Sequence, residues 1–149
     1  DHLLAMLAVG LWAAQQQGAA RWALPLTFVG SLLLGGLFGL NGVAFAGVES
    51  AIAASLLALG VLVAVAARLP LALAMGLTAL FALNHGVAHG LEVPALGSAW
   101  AYVAGFCLAT LALHTAGYAL LQSLPSRAAV WLSRVTGSAF AGTGLWLLT

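Results

Sequence analysis

The sequence predicts an all-α integral membrane domain, a polytopic bundle of six transmembrane helices with outer N- and C-termini. Three observations predict it. Hydrophobic residues fill 64% of the 149 positions and charged residues only 5%, with a mean hydropathy of +1.13, too little polar surface to cover a soluble domain. Several apolar stretches of about 18 residues or more follow one another, the length a membrane-crossing helix needs. These runs are continuously apolar rather than alternating, which favours helices over the strands of a barrel. Residues 1–149 therefore read as a single transmembrane domain.

The first helix runs from Asp1 to about Gln15 and ends in the polar turn Gln15-Gln16-Gln17-Gly18. That is short for a hydrocarbon core of about 30 Å at about 1.5 Å per residue, so the helix is expected to be truncated and to continue upstream in a longer, processed chain. Arg21 and Trp22 mark an interface, and Pro25 is placed in the first turn of the second helix, where a missing N–H does no harm. This helix runs to about Leu40 with a small-residue face of Gly35, Gly36 and Gly39, and Asn41-Gly42 begins a turn. The third helix is expected over Val48 to Ala67, and Arg68-Leu69-Pro70 turns the chain. The fourth climbs from Pro70 to about Gly90. A loop with Glu92, Pro94 and Gly97 leads to the fifth, Ser98 to Leu121. After the polar turn from Gln122 to Arg127, the sixth fills about Ala128 to Thr149.

Orientation follows from the arginines. Arg21, Arg68 and Arg127 fall in the first, third and fifth connections, all on one side, and Arg134 can snorkel to that side. The positive-inside rule makes that side cytoplasmic and puts both termini outside, in keeping with a cleaved export signal. The three acids, Asp1, Glu49 and Glu92, then all lie at the outer side. Carboxylates at helix ends are easily solvated there, and they also form a cluster that would collect cations.

Several classes are excluded. A net charge of +1 from four scattered arginines, with no basic patch, offers nothing to a nucleic acid. Cys107 is the single cysteine, so an internal disulfide is ruled out, and it reads as a small core residue. The chain has no lysine and therefore no Gly-rich loop ending in Gly-Lys-Ser/Thr, so ATP does not drive it.

The chemistry concentrates in Leu83-Asn84-His85-Gly86-Val87-Ala88-His89-Gly90-Leu91-Glu92. His85 and His89 are four apart and project from one helix face, one turn above the other. Gly86 and Gly90 repeat that spacing one residue on, leaving a groove where another backbone can approach. His2 and Met6 are also four apart, with Asp1 beside them, and Glu49 opens the third helix at the same membrane depth. Imidazole with carboxylate suits a borderline divalent ion such as Ni, Co, Zn or Cu. Asp1, His2, His85, His89 and Glu92 are the candidate metal ligands. Glu49, Met6 and His114 are candidates for a further pathway, with His114 near the cytoplasmic end as an inner relay or a packing group. Met6 also reads as gap filler, and Asn84 and Ser55 as interhelical hydrogen-bonders.

Competing classes lack their constellations. A metalloprotease needs His-Glu-x-x-His, but Gly86 follows His85. Ser98 and Ser138 have no supporting nucleophile motif. Two histidines on one helix face do not clamp both sides of a haem, so a haem-binding subunit would need a distant partner such as His114. The chain is read as no enzyme, with a structural or haem-binding membrane subunit as the non-transporting alternative.

These residues together resemble the HupE/UreJ family of hydrogenase and urease accessory membrane proteins, regarded as nickel permeases. Asp1-His2 looks like the end of the family's first-helix motif, His-x5-Asp-His, whose first histidine would precede residue 1. His85-Gly86-Val87-Ala88-His89-Gly90-Leu91-Glu92 matches its second motif, His-Gly-x-Ala-His-Gly-x-Glu, with Asn84 standing where phenylalanine is expected. Gly47-Val48-Glu49 and His114 are also in keeping. The resemblance implies a bacterial inner-membrane permease, both termini periplasmic. It would take up Ni(II), or Co(II) as the alternative, through Asp1, His2, His85, His89 and Glu92. Its partners would be the divalent ion and the lipid bilayer, it would need no organic cofactor, and it would supply hydrogenase or urease maturation.

Overall fold

The computed structural model describes residues 1–93 and 98–149, so Pro94 and Gly97 of the expected loop lie outside the described residues. Its elements are α1 (His2–Gln15), α2 (Ala20–Leu40), α3 (Val48–Ala64), α4 (Leu71–Leu91), α5 (Ala99–Gln122) and α6 (Ser126–Leu147), with no strand among the described residues. By length and composition α2, α4 and α5 suffice to cross a membrane, whereas α1 and α3 are shorter apolar helices.

The helices pack chiefly in three pairs, α2 on α4, α3 on α6 and α1 on α5. Small residues make each pair close. A Cβ on Gly86 of α4 would collide with the Leu32 carbonyl of α2, and one on Gly90 with the Gly36 carbonyl, so the groove expected beside the histidines is where α2 lies. α1 is buried on nearly every side, with Trp12, Leu11 and Val9 at its heart. α5 buries only Thr110, His114, Gly117 and Leu121, a stripe at helical spacing, while Trp100 and Leu108 face outward. On α5, small and polar groups inside and large apolar groups outside is the arrangement a lipid solvent favours, since Leu gains nothing there by burial.

Two boundaries differ from expectation. α2 begins at Ala20, so Pro25 lies beyond the first turn and the Arg21 carbonyl lacks its donor four residues on. α3 ends at Ala64 rather than Ala67. Ala66 turns left-handed at φ 49°, and the amides of Ala67 and Ala66 close back on the carbonyls of Leu62 (2.9 Å) and Val63 (3.2 Å). Those paired bonds are a Schellman stop, with alanine in the place glycine usually takes.

Side chains satisfy carbonyls exposed where α3 and α1 end. Trp12 Nε1 donates to the Ala67 carbonyl at 2.8 Å, Gln15 Nε2 to Val63 at 3.0 Å, and Gln122 Nε2 to Ala14 at 2.9 Å. The turn Gln15-Gln16-Gln17 is thus half built into the bundle, not a solvated loop. The sequence reading put the arginines on one side but found no basic patch; Arg21, Arg68 and Arg134 in fact line a single cavity of about 740 Å³, with Arg127 outside its lining.

Candidate functional site

The first turn of α1 and the last two turns of α4 bring three imidazoles together. The His2 ring meets the His85 ring at a centroid distance of 4.6 Å and an angle of 86°, and the His89 ring at 4.8 Å and 64°. The four-residue spacing on α4 leaves a notch one helical turn tall between His85 and His89, and His2 contacts both rings.

Each ring has one nitrogen engaged and one without a partner. Asp1 caps α1 by accepting from the His2 amide, and its Oδ1 stands 2.7 Å from His2 Nδ1. A carboxylate only accepts, so Nδ1 of a neutral His2 carries the hydrogen and Nε2 keeps a lone pair. The Ser55 hydroxyl of α3 donates to the Ile52 carbonyl at 2.7 Å and lies 2.9 Å from His85 Nε2. Having one hydrogen, already spent, Ser55 accepts from Nε2–H, and the lone pair of His85 falls on Nδ1. His89 stacks on Phe106 at 5.1 Å and 9°, with Nδ1 at a long 3.4 Å from the Tyr102 hydroxyl. His2 Nε2, His85 Nδ1 and His89 Nε2 are all buried without a hydrogen-bond partner.

Buried polar atoms are normally paired, so three orphans on touching rings need an explanation. An imidazole whose far nitrogen is fixed by a carboxylate or hydroxyl, with its near nitrogen bare, is how a metal-binding histidine is oriented. The rings nevertheless meet edge to face, and no group of three or more His, Cys, Asp or Glu is arranged to hold an ion among the described residues. Closing on one would take ring rotation.

The other candidates fall into place around this group. Glu92 caps the end of α4 and Glu49 sits in the first turn of α3, both exposed and both within electrostatic range of His2. Among the described residues neither forms an ion pair, the one such pair being Asp1 with His2. The Met6 sulfur accepts from the Thr110 hydroxyl at 3.3 Å in the α1–α5 contact. Asn84 does not bond between helices as expected; its amide reaches back to the Leu80 carbonyl at 2.9 Å, the acceptor one turn away. Cys107 is half-buried on α5 rather than in the core.

His114 lies closer to the cluster than its position along α5 suggests. Phe28 of α2, fully buried, stands between them, with ring centroids 5.9 Å from His85 and 5.1 Å from His114. Both His114 ring nitrogens are buried without partners, and the residue lines a side cleft of about 480 Å³ with Arg21, Trp22 and Tyr118. Phe28 was missed by the sequence reading, because an apolar ring in an apolar run carries no cost that would single it out. Ser55 left a signal, as a hydroxyl inside such a run, but not its partner.

The family described as HupE / UreJ protein matches residues 1–147. The curated protein named Protein HupE from Rhizobium leguminosarum bv. viciae is 42% identical over 148 residues, covering 99% of this chain and 78% of that one. No solved structure matches.

Proposed function

The chain belongs to the HupE/UreJ family, and from that premise we propose that it is a membrane permease for a divalent transition-metal ion, Ni(II) first and Co(II) as the alternative. In this reading the six helices span a bacterial inner membrane with both termini periplasmic. The carboxylates of Asp1, Glu49 and Glu92 lie at the outer end and attract the cation. His2, His85 and His89 then replace part of its water shell, and the ion passes Phe28 toward His114. The ion leaves on the cytoplasmic side for hydrogenase or urease maturation.

One observation carries the proposal: three bare imidazole nitrogens on touching rings from two helices, two of them oriented by Asp1 and Ser55. Imidazole ligation suits nickel and cobalt over calcium or magnesium. That the nitrogens do not already converge also fits transport. Conduction needs a site good enough to enter and loose enough to leave, and a fully formed cage of histidines would retain its ion.

The test is uptake of radioactive nickel and cobalt by cells expressing the full-length protein. His2→Ala, His85→Ala and His89→Ala are compared with wild type at matched membrane abundance. Uptake abolished in all three variants is expected. Wild-type uptake in the variants would remove the site, and no uptake by the wild type would remove the function.

A further inference from the structure

We propose that the arginine-lined cavity at the end of the bundle opposite the histidines binds a phosphate group, carried by an acidic phospholipid or free in solution. The inference stands apart from the metal reading, since its test measures no transport.

The cavity holds about 740 Å³ between the ends of α1, α3 and α5 and the start of α6, with Arg21, Arg68 and Arg134 in its lining. Three of the four arginines in the chain thus face one space. The only ion pair among the described residues, Asp1 with His2, is at the other end, so no carboxylate balances these guanidiniums. Among the described residues only Arg21 spends a donor on the protein, from Nε to the Gln16 carbonyl at 2.8 Å. The neighbouring amides are already committed, Gln15 to Val63, Gln16 to Ala67 and Gln122 to Ala14. The charged donors facing the cavity are therefore the guanidiniums, with the Gln17 amide and Ser126 hydroxyl as neutral donors beside them.

Two further features point to the same ligand. α6 starts behind Pro125 with no side-chain cap, and Ser126 of its first turn lines the cavity. Its open amides and positive dipole end add to the attraction for an anion. The rim is apolar at Val65 and Val130, which are 66% and 52% exposed, so an acyl chain has surface to lie on beside a bound headgroup. Guanidinium forks match phosphate oxygens two at a time, and basic pockets between membrane helices hold acidic headgroups in this way. A divalent cation would be repelled by the same charges, so the cavity is no continuation of the histidine route.

The experiment uses full-length protein in detergent, with lipid retention read by native mass spectrometry and Tm followed in parallel. The probes are phosphatidylglycerol, phosphatidylcholine and inorganic phosphate. Phosphatidylglycerol should be retained about tenfold or more over phosphatidylcholine, and Arg68→Gln with Arg134→Gln should abolish that preference. Arg127→Gln, which alters an arginine outside the cavity lining, should preserve it. A Tm rise with inorganic phosphate, lost in the double variant, assigns the site to free phosphate; a rise with phosphatidylglycerol alone assigns it to the headgroup. Equal retention of both lipids by wild type, with no response to phosphate, overturns the proposal whether or not the variants fold. So does an Arg127→Gln loss as large as that of the double variant.

Discussion

Ser55 stands 2.9 Å from Nε2 of His85 with its only hydrogen already given to the Ile52 carbonyl, which makes it an acceptor for the imidazole and nothing else. A serine on α3, six residues and less than two helical turns beyond Glu49, thereby decides which nitrogen of a histidine on α4 is bare. Replacing Ser55 with alanine removes that preference and leaves the ring free to take either tautomer. Ser55→Ala should raise the nickel concentration for half-maximal uptake by about 10- to 100-fold, as loss of such outer partners generally does, at unchanged protein abundance. Ser55→Thr, which keeps the hydroxyl, should recover most of it. A concentration series of initial uptake rates checks both variants.

The close approach of α2 and α4 gives a stability prediction independent of metal. Gly86→Ala puts a methyl group into the Leu32 carbonyl, backbone against backbone, with no flexible atom able to yield. Overpacking of this kind typically costs about 1–3 kcal/mol, seen as a lower Tm in detergent. Gly76→Ala and Gly105→Ala lie on the same class of helix with nothing within 4 Å of the new carbon, and their Tm should match wild type.

Much of this site could be read from residue order alone, and the limits have physical causes. The His85–His89 pair was visible because a four-residue period survives any packing of the helix that carries it. His2 was visible because an imidazole beside a carboxylate is costly in an apolar chain. What order alone did not carry was which residue meets which. His2 rather than Glu92 contacts both α4 rings, and Ser55 rather than Asn84 bonds between helices, because those outcomes depend on how helices rotate against one another. Pro25 lies past the first turn expected for it because proline forbids only one hydrogen bond, and the preceding five residues still form helix. The arginine cavity went unseen for a related reason, since residues 21, 68 and 134 converge only once three helix ends are brought together.

Phe28 offers a test that separates binding from passage in the proposed route. Its fully buried ring contacts both His85 and His114, so the proposed route between those imidazoles runs past it. Phe28→Leu keeps an apolar group of similar reach but loses the edge-to-face contact with His114 and the tilted contact with His85, worth about 0.5–1.5 kcal/mol each for aromatic pairs. The maximal uptake rate should change several-fold while half-saturation, set at the outer imidazoles, stays near wild type. A shift confined to half-saturation would place Phe28 in binding alone. Membrane abundance must be measured alongside, because loss of core volume has its own cost.

Tyr102 tests how much of the His89 position comes from its hydroxyl. At 3.4 Å the Tyr102–His89 contact is at the weak limit for a hydrogen bond, whereas Phe106 stacks flat on the imidazole at 5.1 Å. Tyr102→Phe should therefore leave nickel uptake within about twofold of wild type, and Phe106→Ala should lower it more, through loss of the surface that holds the ring. The two variants in one uptake assay, normalised to abundance, decide the ranking.

Glu49 and Glu92 differ from the histidines in kind, and salt separates the two. Both carboxylates are exposed, act on His2 through space, and make no ion pair among the described residues. Charges of that sort raise the local concentration of a cation and accelerate its arrival, an effect that falls as ionic strength rises and the Debye length shrinks to about 8 Å at 0.15 M. A ligand acts at contact and is screened far less. Glu49→Gln and Glu92→Gln should slow nickel uptake at low ionic strength, and the gap from wild type should narrow as an inert monovalent salt is added. The His85→Ala deficit should persist across the same range. A Glu92→Gln deficit that salt does not touch would make that carboxylate a direct ligand, reached by motion at the end of α4 that brings it against the three imidazoles.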